Sequence, residues 1–339
     1  MADLTLHQID TVPPGLLEID AKELYTLLPG PTLLHLEGKD PARLFISILL
    51  HGNEVTGLLA VQRLLKKYQD HPLPRSLSIF FGNIEAARAG VRRLEGQPDY
   101  NRVWPGTEHP PCPEVSLMRQ VWETMAARPL FASIDIHNNT GRNPLYGCVN
   151  CLEAPFLQLA SFFGRLVVYF LRPKGVQSMA FARLCPAVTL ECGKPGISQG
   201  VDHAFDYVDT CLHLKEIPNK PPSPGNVDLF HTVAQIKIRK DIYFSFTDDK
   251  ADLVLRSDLD HLNFMELSAG IALGEVHCDT IPLIALDEDG NEVTHLYFQV
   301  QAGKLILKRK VMPSMFTMDE RIIRQDCLGY LMERLPLPI

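Results

Sequence analysis

The sequence lacks long apolar runs and long runs of charge of either sign. No stretch approaches the roughly 18 consecutive apolar residues of a membrane helix. With 33 basic and 40 acidic residues the net charge is −7, and there is no basic arm. Because binding to nucleic acid begins with neutralisation of phosphates, an acidic chain of this kind is a poor candidate for that function. We therefore expect neither a nucleic-acid nor a membrane partner.

Two further absences concern the cellular compartment. The N-terminal residues do not combine a basic start with an apolar run, so they do not read as a secretory signal. The eight cysteines fall at irregular spacing, unlike those of a disulfide scaffold. These two features predict a cytoplasmic protein.

The order of predicted elements favours an α/β fold. The chain has 339 residues, of which 46% are hydrophobic, enough for a sizeable core. Strands are predicted at 32–37, 43–50, 77–81, 131–136, 166–170 and 186–191, and helices at 54–70, 84–94, 114–127, 155–163 and 199–216. This alternation is typical of parallel βαβ units. We expect a mixed, largely parallel sheet flanked by helices.

A proline-rich segment, residues 216–226, interrupts this pattern and is typical of a linker. Beyond it the chain consists of short strand-like runs, with a final helix predicted near 319–334. The predicted division is a catalytic domain over residues 1–217 and a smaller β-rich domain over residues 226–339.

Polar side chains stand where three of the buried strands end. One strand runs into His51 and Glu54, another into His137, and a third into Glu191. In open α/β sheets, ligands bind beyond the carboxyl ends of the strands. We therefore expect these four side chains to lie near one another.

Two imidazoles and one carboxylate are a common ligand set for catalytic zinc, which keeps a fourth position open. His51, Glu54 and His137 supply that set, and Glu191 is a spare carboxylate that could serve as a base. Asp135 lies two residues before His137 in the same strand and could orient that histidine. On the pattern alone, each residue could equally be a cap or a solvated loop residue.

Four motifs, in order, resemble the succinylglutamate desuccinylase/aspartoacylase family of zinc hydrolases, which is related to the M14 zinc carboxypeptidases. They are HGNE at 51–54, NR at 101–102, DIHN at 135–138 and LECG at 190–193. The resemblance covers about residues 43–205. It implies a zinc carboxypeptidase-like catalytic domain, and the β-rich C-terminal portion also fits the family.

The resemblance implies a role for each matching residue. His51, Glu54 and His137 match the ligands of one zinc ion, and Glu191 matches the base that activates the zinc-bound water. Asn101 and Arg102 match a pair that holds a substrate carboxylate. Arg92 matches the arginine that polarises the scissile carbonyl, with the adjacent Arg93 as the alternative.

One position departs from the family pattern. Relatives that cleave N-acetylaspartate carry an acid-binding arginine ten residues before the catalytic glutamate. That position is Phe181 here, and the nearest arginine is Arg183. An aspartate- or glutamate-derived substrate is therefore in doubt.

The sequence thus predicts a zinc-dependent hydrolase that cleaves the amide bond of an N-acyl amino acid or a related carboxylate-bearing small molecule. Two alternatives stay open: a metallocarboxypeptidase that acts on short peptides, and a zinc-binding protein without turnover. The acyl group, the amine and the oligomeric state are not determined by the sequence.

Overall fold

The computed structural model describes residues 4–338, so residues 1–3 and 339, the outer ends of the two predicted domains, lie outside the described part. The strands within it are β1 (His7–Ile9), β2 (Thr32–Leu36), β3 (Gly38–Ile48), β4 (Leu73–Phe81), β5 (Leu130–His137), β6 (Tyr146–Val149), β7 (Leu166–Tyr169), β8 (Ala187–Glu191), β9 (Asp228–Ile238), β10 (Phe244–Ser245), β11 (Leu253–Leu255), β12 (Ala272–Val276), β13 (Leu283–Leu286), β14 (Phe298–Gln301), β15 (Lys304–Leu307), β16 (Met312–Ser314) and β17 (Gly329–Arg334). The α-helices are α1 (Thr56–Lys67), α2 (Ile84–Ala89), α3 (Pro113–Ala126), α4 (Ala154–Phe163), α5 (Gln177–Phe181), α6 (Ser198–His213), α7 (Thr294–Tyr297) and α8 (Glu320–Gln325). Two short 3₁₀ helices cover Ala21–Thr26 and Leu259–Leu262. None of the helices in residues 4–338 has the length and apolar character needed to cross a membrane.

Twelve strands form one large mixed sheet. Its order is β1-β2-β4-β3-β5-β8-β6-β7-β9-β17-β16, and β13 pairs with β9 outside this path. At its centre, β4, β3, β5 and β8 are all parallel. A separate five-stranded sheet has the order β10-β11-β12-β15-β14. The predicted fold class, a largely parallel sheet flanked by helices with a smaller β-rich part, is confirmed.

The central strands are buried because they are apolar on both faces. Every residue of β3 from Leu44 to Ile48 is fully buried, and the one polar member, Ser47, donates a hydrogen bond of 2.6 Å to Asp135. In the adjoining helix α1, the apolar residues recur at helical spacing, so that Leu58 and Val61 face the core while Leu59 stays partly exposed. The strands that lead to the predicted site are therefore rigidly held.

The segment around the predicted linker has neither helix nor strand between His213 and Asp228. Beyond it, residues from Ala234 onward form an apolar cluster of their own. The large sheet nevertheless continues across the linker, since β9 pairs in parallel with β7. The division at 217 and 226 stays a prediction, and C-terminal residues share the sheet that carries the site.

The predicted helices at 84–94 and 319–334 are both too long. Helix α2 ends at Ala89 because Gly90 adopts φ +66°, the left-handed conformation of a C-cap. Helix α8 stops at Gln325, and β17 follows, paired with β9 and β16. Pairing with β9, which is distant in the chain, outweighs local helix propensity there, and a local pattern cannot reveal it.

Candidate active site

The strand ends meet at one edge of the sheet, as the sequence predicts. Because β5 lies between β3 and β8, the residues at or just after their carboxyl ends converge. His137 and Glu191 are register partners on β5 and β8. His51 follows β3 by three residues, and Glu54 precedes α1 by two.

His51, Glu54 and His137 form a compact cluster. The Nδ1 atom of His51 lies 2.8 Å from Oε1 of Glu54, and Nδ1 of His137 lies 2.8 Å from Oε2 of the same carboxylate. One potential ligand atom from each residue lies within 4.8 Å of the others, and all three residues are buried. Two imidazoles and a carboxylate arranged in this way can hold a metal ion.

The second nitrogen of each imidazole contacts another carboxylate. Nε2 of His137 lies 2.7 Å from Asp135, and Nε2 of His51 lies 2.9 Å from Asp99. Such partners fix the ring orientation and leave the opposite nitrogen free to bind metal. Asp135 therefore lies where the sequence predicts it. Asp99 was not predicted, because it belongs to a loop 48 residues beyond His51 without a recognised motif. Its position two residues before the NR pair was the only available signal.

The charges of the cluster stabilise one another. Burial raises the pKa of Glu54, but the neighbouring His51 and His137 outweigh it and hold that pKa well below its usual range. Burial lowers the pKa of His137, and the carboxylates of Asp135 and Glu54 reverse this and raise it well above the usual range. Metal binding at His137 would therefore compete with a proton on that ring.

Glu191 lies beside the cluster without joining it. The hydrogen-bond donor to its carboxylate within residues 4–338 is Asn139, whose Nδ2 is 3.4 Å from Oε2. Burial raises the pKa of Glu191 to about 8, and the positive charge of His137 opposes that shift. A buried carboxylate with a raised pKa is suited to taking up and releasing a proton near neutral pH.

Arg92, rather than Arg93, faces the site. The Arg92 guanidinium lies 3.3 Å from Oε1 of Glu54 and 2.9 Å from Oδ2 of Asp99. The Arg93 guanidinium donates instead to the backbone oxygen of Gln97, outside the cavity. Of the two arginines that the sequence leaves open, the structure brings Arg92 to the cluster of His51, Glu54 and His137.

Asn101 and Arg102 both line the cavity but differ in their partners. The Asn101 side chain is engaged with the protein: Oδ1 accepts from the backbone of Gln177 at 2.8 Å, and Nδ2 donates to Asp135 at 3.2 Å. The Arg102 guanidinium donates to Asp326 at 3.0 Å. The predicted carboxylate clamp thus contains one cationic group, Arg102, which is paired with Asp326 in this structure. Its role toward a substrate stays a prediction.

The cavity over the cluster has a volume of about 140 Å³. Its wall beyond Glu191 is built from β6 and β7, the next strands in the sheet, and is largely apolar. The side chains of this wall are Tyr146, Cys148, Val168 and Phe170, with Val176 and Met315 nearby. A ligand group that lies between the cluster of His51, Glu54 and His137 and strand β7 would therefore contact apolar side chains.

Phe181, which stands at the position of the acid-binding arginine of relatives that cleave N-acetylaspartate, is part of the core. Phe181 is fully buried and stacks on Phe45 with ring centroids 4.4 Å apart. Arg183 does not line the cavity, whereas Arg172, which the sequence did not single out, does. Arg172 is paired with Glu108 at 3.1 Å. The departure at Phe181 is therefore structural, since an arginine there would enter a packed aromatic cluster.

One serine has the GxSxG spacing of a nucleophile elbow, Ser198 within residues 196–200. It is exposed at the first position of α6, seven residues beyond the end of β8. Within residues 4–338 no hydrogen bond joins its hydroxyl to a histidine. The geometry of a serine nucleophile, a sharp strand-to-helix turn with a base in contact, is not present there.

The catalytic-domain profile of the succinylglutamate desuccinylase/aspartoacylase family matches residues 41–203. Among solved structures, the fold is similar to succinylglutamate desuccinylase from Chromobacterium violaceum, with 19% identity, a TM-score of 0.56 and coverage of 88% of this chain and 86% of that one. It is also similar to a succinylglutamate desuccinylase/aspartoacylase from Rhodobacter sphaeroides, with 15% identity, a TM-score of 0.58 and coverage of 89% and 88%. Murine aminoacylase 3 shows 14% identity, a TM-score of 0.56 and coverage of 88% and 96%. No curated protein matches the sequence at a significant level.

Proposed function

Because the chain belongs, through residues 41–203, to the succinylglutamate desuccinylase/aspartoacylase family, we propose that it is a zinc-dependent hydrolase of amide bonds. Its substrates are N-acyl amino acids or related small amides that bear a carboxylate. One zinc ion per chain would be held by His51, Glu54 and His137.

The observation that carries the proposal is the arrangement of four buried polar side chains: three form a possible metal site, and the fourth lies beside it. The Nδ1 atoms of His51 and His137 and the carboxylate of Glu54 lie close together. The Nε2 atom of each imidazole contacts a further carboxylate, that of Asp99 or Asp135. The fourth, Glu191, lies beside them and is not tied to the three. A site that only held a metal would gain nothing from a further buried carboxylate outside the ligand set, which is costly to desolvate.

The chain's own groups account for the acid–base steps. Zinc, when bound, supplies a Lewis acid that polarises the scissile carbonyl and makes water more acidic. Glu191 takes the proton from the attacking water at a carboxylate oxygen and returns it to the leaving nitrogen. Arg92, whose guanidinium faces the cluster, stabilises the negative charge that develops on the carbonyl oxygen.

Substrate binding is divided between a charged and an apolar side of the cavity. Arg102 offers a planar donor group to a carboxylate, which is the natural partner of a guanidinium. The wall formed by Tyr146, Val168 and Phe170 would accept an apolar acyl group or side chain. With Phe181 in the core, a second acidic group has no arginine at the family position.

The experiment is a screen of the purified protein against N-acyl amino acids and dipeptides, with zinc content measured on the same sample. We expect amide hydrolysis of N-acyl amino acids by the zinc-loaded protein and none after chelation. Faster cleavage of dipeptides would identify a carboxypeptidase, and stoichiometric zinc without turnover on either set would identify a binding protein. We further propose a cytoplasmic location, since the eight cysteines fall at irregular spacing, unlike those of a disulfide scaffold.

A further inference from the structure

The carboxylate of Asp326 lies between the two arginines of the cavity. Its Oδ2 atom is 3.0 Å from Nη2 of Arg102 and 3.2 Å from Nη2 of Arg92. Asp326 follows α8 and is 224 residues from Arg102 in the chain, so no local motif connects the two. A side chain from the C-terminal part thus completes the cavity of the catalytic part.

The Asp326 carboxylate interacts with the two arginines and has no evident structural role elsewhere in the described fold. Within residues 4–338, the hydrogen-bond donors to the Asp326 side chain are Arg92 and Arg102. The residue is the C-cap of α8, an end of a helix where a negative charge is disfavoured. Neither helix capping nor core packing therefore explains an aspartate at this position.

Asp326 is ionised at neutral pH. Burial raises its pKa, but the charges of Arg102 and Arg92 outweigh burial and lower the pKa below its usual range. Arg102 has no second carboxylate partner within the described residues, since its other guanidinium nitrogen donates to the backbone oxygen of Asn101. An anion therefore already occupies the group that is predicted to receive a substrate carboxylate.

We propose that Asp326 is a specificity-determining residue that competes with the substrate carboxylate for Arg102. In the free protein Asp326 holds the site, and an acidic ligand binds by displacing it. The inference rests on the proposed function only in taking this cavity as the substrate site.

Two features make such a displacement feasible. Two carboxylates on one guanidinium repel each other at close range, so the ligand and Asp326 exclude one another. The Asp326 side chain is 19% exposed and sits on the short turn between α8 and β17 rather than inside either element. Rotation of the Asp326 side chain alone would keep the backbone hydrogen bond from Leu328 to Ile236 that joins this turn to β9.

The test compares the binding of an acid and its neutral counterpart. N-acetylleucine and N-acetylleucine amide are titrated calorimetrically into zinc-loaded protein that carries Glu191→Gln, which suppresses turnover. Adding Asp326→Asn should tighten binding of the acid about tenfold or more and leave the amide unchanged. Adding Arg102→Ala to that variant should abolish the gain. Asp258→Asn, which removes an aspartate paired with Arg256 outside the cavity, should change neither affinity.

Unchanged or weaker acid binding in Asp326→Asn would overturn the proposal, because Asp326 would then position the arginines rather than compete for them. If that variant does not fold, a crystal structure of the protein that retains Asp326, with bound N-acetylleucine, distinguishes the two possibilities. The ligand carboxylate on Arg102 with Asp326 moved away supports competition, whereas Asp326 unmoved on Arg102 overturns it. These binding measurements stay informative if no amide is hydrolysed, so failure of the proposed activity is separable from failure of this inference.

Discussion

Nε2 of His51 lies 2.9 Å from a carboxylate oxygen of Asp99, while Nδ1 of the same ring lies 2.8 Å from Glu54. The His51 ring thus lies between Glu54, which can bind the same metal ion, and Asp99, which can only orient the ring. His137 repeats this arrangement with Glu54 and Asp135. Both imidazoles therefore present Nδ1 toward a common centre.

Replacement of Asp99 should weaken metal binding without removing a ligand. Asp99→Asn keeps the shape but loses the charge that orients His51, and losses of this kind typically cost about 10- to 100-fold in metal affinity. Competition with a zinc chelator measures the effect. Asp202→Asn, which removes an exposed carboxylate paired with Arg63, is the control and should leave affinity unchanged. An affinity for Asp99→Asn equal to that of the control would mean that Asp99 does not orient the ligand.

The ligands themselves should be indispensable for the metal. We expect about one zinc per chain in the unmodified protein and little in His51→Ala or His137→Ala, because two remaining ligands hold zinc poorly. Elemental analysis of dialysed protein measures this. His295→Ala changes an exposed histidine remote from the cluster and should keep full zinc content. Full zinc content in either ligand variant would exclude that histidine from the metal site.

Local sequence patterns were sufficient for the central sheet and for the convergence of His51, Glu54, His137 and Glu191. Apolar strands such as β3 signal burial directly, and parallel neighbours necessarily end at one edge. Asp99 and Asp326 could not be predicted in the same way. One lies in an irregular loop, and the other reaches the cavity through pairing of β17 with β9, which depends on tertiary contacts over almost 100 residues.

The clamp residue Arg102 should discriminate between charged and neutral substrates. A charged hydrogen-bonded contact is worth about 1.5–3 kcal/mol, so Arg102→Ala should raise KM for N-acyl amino acids roughly ten- to hundredfold. Hydrolysis of the corresponding neutral amides should change little. Steady-state kinetics on both substrate types measure the difference, with the exposed Arg119→Ala as control. Equal losses on both types would assign Arg102 a structural role.

Phe181 should contribute to stability rather than to substrate binding. Its ring is fully buried between Phe45 and Trp104, so Phe181→Ala should lower the free energy of unfolding by about 3–5 kcal/mol. Phe162→Ala, which truncates a ring that is 36% exposed, should cost much less. Denaturant titration followed by circular dichroism compares the two variants. Similar stabilities would show that the aromatic cluster around Phe181 is not a tightly packed part of the core.

Glu191 is the residue on which the assignment as an enzyme depends. Glu191→Gln keeps the shape and removes the basic oxygen, and acid–base catalysis by one positioned group contributes about 10²–10⁴-fold. We expect kcat to fall by at least a hundredfold while zinc content is kept and KM changes less, because the base acts mainly in the transition state. Glu123→Gln, on the exposed face of α3, should retain full activity.

The two ways in which this last expectation could fail have different meanings. Loss of zinc together with activity in Glu191→Gln would make Glu191 a ligand and would leave Glu54, which contacts both histidines, as the candidate base. Activity within tenfold of the unmodified protein would make Glu191 a strand-end residue without chemistry. In that case the raised pKa of Glu191 would reflect its burial and the nearby charge of Glu54 without a catalytic role, since a carboxylate placed against Tyr146 and Cys148 is poorly solvated whether or not it moves a proton.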